Sequence, residues 1–369
     1  MSSDEAMISF NGVSKAFGGK GPAAVNDLTL QINRGEMVVL VGPSGCGKTT
    51  SMKMVNRLIE PSAGVITVNG ADVMMQDPVR LRRGIGYVIQ SVGLLPHRTV
   101  AQNIGTVPAL VGWERTRIDE RVAELAGLLE LDPAMLPRYP AELSGGQRQR
   151  VGVARALALD PPVMLMDEPF GAVDPIVRGR LQDQFLDLQD RLQKTIVFVT
   201  HDIDEAIKMA DRIAILNTGA HIEQYAPPEE ILRSPAGEFV KEFVGPERGL
   251  KRLGLLKVGG VELEKGPVIS PLTSTDEALR IMADFSDDWA TVIDGDRLLG
   301  WVDKESVARV GPARAEPQRF GAYVTEASSL REALDSVVTS KTQVAVVAGD
   351  HGQYLGILSL DRISKEIVS

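Results

Sequence analysis

Cysteine occurs once in 369 residues, at Cys46, which excludes an intrachain disulfide and fits a reducing compartment. Basic residues are outnumbered, 40 Lys/Arg against 49 Asp/Glu, and no long basic block occurs. A chain of this charge is poorly equipped to neutralise a phosphate backbone, so no nucleic-acid partner is expected. No apolar run approaches the roughly 18 to 20 residues of a membrane span, and Met1 to Glu5 lack the basic and apolar regions of a signal peptide. The expectation is a soluble, cytoplasmic protein. What the chain does have, 44% hydrophobic and 24% charged residues, is the composition of a folded globular protein, and its length exceeds one ordinary core, predicting two or three domains.

The strongest local signal is Gly42-Pro43-Ser44-Gly45-Cys46-Gly47-Lys48-Thr49-Thr50. Met37 to Val41 before it reads as a buried parallel strand, and Thr50 to Ile59 after it as a helix stopped by Pro61. In a strand-loop-helix context this spacing curls the backbone so that N–H groups converge on one spot at a helix N-terminus, which suits phosphates. Lys48 would lie on the β- and γ-phosphates, and the Thr49 hydroxyl would ligate Mg²⁺. Cys46 fits two roles, a small residue filling a tight loop or a thiol activated by its neighbours.

Other motifs place polar groups at strand ends. Ile85 to Ile89 reads as a strand ending on Gln90. Val163 to Met166 runs into Asp167 and Glu168, the first suited to hold Mg²⁺ and the second free to polarise water. Thr195 to Val199 delivers His201, so these groups would gather at one sheet edge. Ser144-Gly145-Gly146-Gln147 opens the helix Val151 to Leu159 as a second anion nest with Ser144 as N-cap, suited to a neighbouring subunit's nucleotide. Phe17, ahead of the glycines at 18, 19 and 21, either stacks on an adenine ring or covers a sheet edge. Ser91 to Val100, with Leu94-Leu95-Pro96-His97, reads as an apolar loop and a docking surface. Asn33 to Glu36 looks like a hairpin turn, and Arg212 to Tyr225 like a hairpin.

Residues 246–265 contain Arg248, Lys251, Arg252, Lys257 and Lys265 with four glycines, and read as a flexible linker. Beyond it the chain repeats: Glu277-Ala278-Leu279 recurs 55 residues later at Glu332-Ala333-Leu334, and Ala290 to Ile293 recurs at Ala345 to Ala348. Each unit reads helix, strand, turn, strand, helix. Residues 266–369 carry 10 Lys/Arg against 16 Asp/Glu, so most of the net charge of −9 lies there.

Taken together, residues 7 to about 245 resemble the ATP-hydrolysing subunit of an ABC transporter, and 266–369 is similar to a tandem CBS pair. The resemblance implies an α/β fold: a P-loop ABC-type ATPase domain over 1–245, the linker 246–265, and a C-terminal α+β tandem CBS regulatory domain over 266–369. It implies that Phe17 stacks on adenine, that Gly42 to Thr50 is the Walker A region and that Gln90 is the Q-loop residue linking Mg²⁺ to the membrane partner. By the same resemblance Leu143 to Gln147 is the signature, Asp167 and Glu168 are the Walker B pair, Asp174 lies in the D-loop and His201 is the switch histidine. ATP and Mg²⁺ are the implied cofactors. The implied partners are a second copy of the chain in a head-to-tail homodimer, an integral membrane permease and, indirectly, an extracytoplasmic solute-binding protein, with the chain held at the cytoplasmic face of the membrane. The CBS pair, with Leu94 to Val100, resembles importers of glycine betaine, choline or proline. The D-loop departs mildly from the family, reading Gly171-Ala172-Val173-Asp174. The CBS units lack the family's Ser/Thr and Asp three residues apart, with Ser359 and Arg362 in one unit and Asp303 and Ser306 in the other. Either ionic strength or an adenine nucleotide could be what the pair senses.

Overall fold

The computed structural model describes residues 6–18, 22–91, 93–171, 173–312, 314–321 and 323–368. Residues 1–5 and 19–21, Val92 of the docking stretch and Ala172 of the D-loop lie outside the described residues. The chain divides into two compact units, one ending at Val244 and one beginning at Gly245.

The first unit is built on a six-stranded sheet in the order His221–Ala226, Arg212–Asn217, Met37–Val41, Thr195–Thr200, Val163–Asp167, Ile85–Val88. Only the outermost pair, the expected hairpin, is antiparallel. Met37–Val41, Val163–Asp167 and Thr195–Thr200 are buried at every position, which is why they read as unbroken apolar runs rather than alternating ones. A second, four-stranded antiparallel sheet runs Val25–Asn33, Ala6–Lys15, Ala63–Val68, Ala71–Asp72. Its last two strands meet in a tight turn with Asn69 (φ 50°) and Gly70 (φ 75°) both left-handed, as a two-residue hairpin requires. Phe10, Ile32 and Ile66 of this sheet share a core with Val38, Leu40 and Met52 of the phosphate-loop region.

Two local expectations change. Asn33 to Glu36 does turn, with Glu36 N–H donating to the Asn33 carbonyl at 3.3 Å, but the strands it joins belong to different sheets, so it is not a hairpin. The helix after the glycine loop spans Lys48–Val55, beginning inside the loop and ending before Pro61. Arg57 takes a left-handed φ of 54°, and the N–H groups of Leu58 and Ile59 both return to the Lys53 carbonyl, which closes the helix.

The second unit contains two three-stranded sheets of identical plan. Val268–Ile269 pairs parallel with Trp289–Asp294, which pairs antiparallel with Arg297–Asp303; Tyr323–Val324, Val344–Ala348 and Tyr354–Ser359 repeat that plan. Each antiparallel pair has its register irregularity at the equivalent place, between Val292 and Ile293 and between Val347 and Ala348. The two-residue leading strands were not legible in the sequence, because so short a segment carries no periodicity.

Residues 246–265 are not a flexible linker. Arg248–Leu255 is a helix whose Leu253 is fully buried with Leu330, Val337 and Ile363, and Val258 lies in the same cluster. Beyond the helix, Val258 N–H donates to the Ser328 carbonyl and Glu264 exchanges both backbone hydrogen bonds with Ile357. The Glu264 carboxylate accepts from the Ser359 N–H at 2.9 Å. Glycine frequency suggested flexibility, but Leu253, Leu256, Val258, Val261 and Leu263 supply apolar contacts that order the stretch.

Candidate nucleotide site at the sheet edge

Strand register brings the polar groups together. Val41 pairs with Thr200, so Gly42 and His201 leave the sheet at the same height. Asp167 pairs with Val199, and Val88 with Met166, so Gln90 lies level with Glu168 two residues further on. Every expected strand-end residue thus emerges on one edge, beside the glycine loop.

In that loop, a Cβ on Gly42 would lie 2.1 Å from the Leu216 carbonyl oxygen, and one on Gly47 2.5 Å from that of Ala24, with φ of 155° and 113°. No other residue fits either place. Pro43, Ser44 and Gly45 form the exposed crest, and Thr50 is half-buried on the helix. Cys46 is buried at 2% exposure within the first unit's core, so the structure favours the filler over the activated thiol. Lys48, at 6% exposure, donates through Nζ to the carbonyl oxygens of Gly42 (2.7 Å) and Pro43 (2.9 Å). Its ammonium therefore stands at the mouth of the loop.

Thr49 Oγ1 donates to Asp167 Oδ1 at 3.0 Å. Burial raises the Asp167 carboxyl above its usual range, against the Thr49 hydrogen bond and the charges of Lys53 and Lys48, which favour the anion. Glu168 has a left-handed φ of 44°, an arrangement that costs energy in a non-glycine residue. Its N–H donates to the Val199 carbonyl at 2.9 Å, which fixes this turn to the neighbouring strand. One carboxylate oxygen accepts from Gln90 Nε2 at 2.9 Å, and the other lies 3.1 Å from His201 Nδ1. Glu168 thus sits between an amide and an imidazole, each delivered by its own strand.

Ser144 and Gln147 close on one another. The Ser144 hydroxyl accepts from the Gln147 N–H (3.3 Å), and the Gln147 side-chain oxygen accepts from the Ser144 N–H (2.8 Å), forming a capping box at the start of Gly145–Leu157. Gly145 and Gly146 open this helix, and a Cβ on Gly146 would press on Leu181 at 3.3 Å. Asp174 is exposed ahead of Pro175–Leu192, and its carbonyl accepts from Arg178 N–H. Phe17 is 56% exposed, with Lys15 Nζ 5.2 Å from its ring centre, so the ring is not sealed against a sheet edge. The fold thus joins the glycine loop, Gln90, Asp167, Glu168 and His201 within one chain, and leaves Ser144 and Gln147 in their own capping box and Phe17 beside Lys15.

Sequence reading missed the residues that hold this arrangement. Asn103, fully buried, accepts from the Leu95 N–H and donates to the carbonyls of Leu95, Arg98 and Thr99, which shapes the loop after Gln90. Arg155 donates to the Gly93 carbonyl at 2.6 Å. Behind His201, buried Gln182 donates to buried Glu205 at 3.1 Å, and burial raises the Glu205 carboxyl. None of these has a motif: Asn103 and Arg155 bond to backbone of the loop after Gln90, and Gln182 and Glu205 find one another from two different helices.

A donor-lined loop and a lysine at a helix start, backed by a parallel sheet, suit phosphates, and with a carboxylate pair and a histidine on the same edge they define a P-loop ATPase. The ABC transporter family model matches residues 25–171, and the CBS domain model matches 322–369. The choline transport ATP-binding protein OpuBA of Bacillus subtilis is 51% identical over 310 residues, 82% of this chain and 79% of the relative. The osmoprotectant import ATP-binding protein OsmV of Salmonella typhimurium is 46% identical over 373 residues, 98% of this chain and 97% of the relative. A solved dimeric ATP-binding cassette in a post-hydrolysis state with ADP and Pi superposes with a TM-score of 0.55 at 31% identity, covering 60% of this chain and 99% of that one. The chain belongs to the ABC transporter family, as an ATP-binding subunit with a C-terminal CBS domain that couples ATP hydrolysis to transport.

Proposed function

We propose that two copies of this chain energise import of a quaternary-amine osmolyte, of the glycine betaine, choline or carnitine class, through a membrane permease. The observation that carries the chemistry is the Gln90–Glu168–His201 cluster set beside Thr49–Asp167 at the mouth of the glycine loop. The solute class is carried by similarity over 68% to 98% of the chain to proteins named for osmoprotectant, choline and glycine betaine transport.

Glu168 acts as the general base that polarises the attacking water, and His201 orients its carboxylate. Gln90 reports on the site from the strand that leads to the docking loop. Thr49 and Asp167 fit Mg²⁺: both offer hard oxygen atoms, 3.0 Å apart, and that ion takes few protein ligands when phosphates and water complete its shell. When bound, the ion neutralises charge on the phosphates. The Ser144–Gln147 nest, closed by its capping box, serves the ATP of a second copy; the dimeric state of the solved relative supports this.

The permease contact falls on the loop from Ser91 to Val100. A cleft of about 570 Å³ opens beside it, lined by His97, Arg98, Gln102, Trp113, Arg115 and Ile118 among others. No described helix is long and apolar enough to cross a membrane, so attachment at the cytoplasmic face comes through that permease, and a solute-binding protein acts on its far side. The CBS unit regulates. Its ribose-recognition positions are already engaged: Asp303 accepts from the Ser306 N–H (2.7 Å) and hydroxyl (3.1 Å), while Arg362 donates to the Glu262 carbonyl (3.2 Å). This favours a response to ionic strength over nucleotide sensing. The test is co-purification of the full chain with a polytopic permease and ATP-dependent uptake of labelled glycine betaine by the reconstituted complex. A stable complex that hydrolyses ATP yet moves no quaternary amine would replace the solute assignment; no permease capture would overturn the importer reading.

A further inference from the structure

The side chain of His201 is 63% exposed and meets Glu168 through one contact at 3.1 Å, so packing does little to hold it. Its place follows from the backbone of Thr200-His201-Asp202, which is tied on both sides of the histidine. Ahead of it, the hydroxyl oxygen of buried Thr200 accepts from the Asp202 N–H at 3.1 Å. Behind it, Asp202 Oδ1 accepts from the N–H groups of Asp204 (2.9 Å) and Glu205 (3.3 Å), capping the helix Ile203–Met209.

The Glu205 side chain joins these ties to a neighbouring helix. Burial raises its carboxyl, and hydrogen bonds from the Thr200 hydroxyl and from Gln182 pull the other way. Thr200 therefore accepts from the turn's backbone and donates its own proton to Glu205, using the hydroxyl in both directions. Gln182, which donates to Glu205 at 3.1 Å, lies on Pro175–Leu192. Two exposed contacts run alongside: Arg178 Nη1 lies 3.9 Å from Asp202 Oδ2, and Lys208 Nζ reaches the Gly179 carbonyl (3.1 Å) and Asp183 (2.6 Å). Exposed ion pairs contribute little, whereas severing a buried pair leaves polar groups with neither partner nor water. Glu205 is thus the contact on which the joint depends. The far helix is itself anchored where it begins, because Arg178 donates from Nη2 to the Val173 carbonyl (3.2 Å) and from its N–H to that of Asp174 (2.8 Å).

We infer that Glu205 is a positioning residue for ATP hydrolysis: together with Gln182 it fixes the Thr200–Asp202 turn so that His201 meets Glu168. It thereby ties the placement of His201 to the helix that follows Asp174. This rests on the role proposed above for His201.

The test uses the full chain, with kcat and KM for ATP measured separately and thermal denaturation as the check on folding. Glu205→Leu keeps the bulk and deletes both acceptors. Its kcat should fall roughly tenfold, the scale of one lost hydrogen bond, while KM stays within about threefold because the Gly42–Thr49 loop is untouched. Glu205→Gln, which retains an oxygen for Gln182, should recover most of that loss. The chain has 4 histidines, so the His201 ring signal can be assigned by NMR from its absence in His201→Ala. It should move in Glu205→Leu while the other three hold, a change that general loosening of the fold would not confine to one ring. Gln182→Leu should shift the same signal and lower kcat alike, and it carries the test if Glu205→Leu does not fold. An unmoved His201 signal, a rise in KM in place of the fall in kcat, or a wild-type kcat beside a slow His201→Ala would each overturn the positioning role. Full activity in His201→Ala would instead overturn the role of His201, and this one with it.

Discussion

Replacing Glu168 with Gln removes a charge while preserving shape, and the surrounding contacts determine the effect. The new side-chain oxygen can still accept from Gln90, whose Nε2 lies 2.9 Å from the present carboxylate. The new amide nitrogen must then face His201 Nδ1 across the present 3.1 Å contact. The cluster keeps its geometry but loses the group able to take a proton from water. Loss of a general base costs about 10² to 10⁴ in rate, which is about 2.7 to 5.4 kcal/mol on the barrier. Nucleotide affinity should hold, because the Gly42–Thr49 loop is untouched. The assay is steady-state phosphate release beside titration with a fluorescent ATP analogue, and size-exclusion chromatography should show an ATP-dependent dimer accumulating. Lys48→Ala provides the contrast: it deletes the ammonium now bonded to the Gly42 and Pro43 carbonyls, so affinity should fall by roughly tenfold or more, the value of a charge-assisted bond. Turnover of Glu168→Gln within about threefold of wild type would place the base elsewhere, and an affinity loss matching that of Lys48→Ala would show that Glu168 holds nucleotide instead.

Four further outcomes test other parts of the molecule. Mixed dimers of Lys48→Ala and Ser144→Arg chains keep one intact composite site, so ATPase activity should appear on mixing two inactive homodimers; a fully active Ser144→Arg homodimer would contradict the shared site. Leu95→Asp should leave the loop folded, since Asn103 binds only its backbone, and preserve basal ATPase while permease capture fails in pull-down; unchanged capture would move the contact elsewhere. Burial raises the Glu205 carboxyl, so its contribution to stability is present below the ordinary carboxyl pKa and is lost as pH rises through the folded value; Glu205→Gln should flatten denaturation midpoints across that interval, and an unchanged pH profile would contradict it. A chain ending at Gly245 should keep ATP hydrolysis, while transport by the assembled complex loses its dependence on internal KCl; retained salt dependence would move the sensor into the first unit.

Much of the sheet edge was legible because each strand is an unbroken apolar run that stops at a polar residue. Val163 to Met166 running into Asp167, and Ile196 to Val199 running to His201, announce both the strand and its functional end. The repeat was legible for a similar reason, since its helices and long strands are apolar and recur at one spacing. What stayed hidden depends on partners that no local pattern marks. Asn103 shapes a loop whose nearest bonded member is four residues away, and Glu205 meets Gln182 across two helices. Glycine content misled at 246–265, because Gly254, Gly259 and Gly260 sit between residues that anchor the stretch through Leu253, Val258 and Val261.

Full burial on both faces has a consequence for how the central strands find their alignment. In a sheet with one wet face, a slip by one residue throws apolar side chains into water and is rejected. Met37–Val41, Val163–Asp167 and Thr195–Thr200 carry no such penalty, since every position is apolar whichever way it faces until the strand ends. Alignment must come from the polar residues at the two ends: Thr195 Oγ1 accepting from Gly35 N–H and Asp211 from Met37 N–H at one, Thr49 with Asp167 and Gln90 with Glu168 at the other. The groups proposed to handle phosphate and water therefore also act as stops against which the strands are indexed, and replacing Asp167 or Gln90 should loosen the fold as well as slow the proposed reaction.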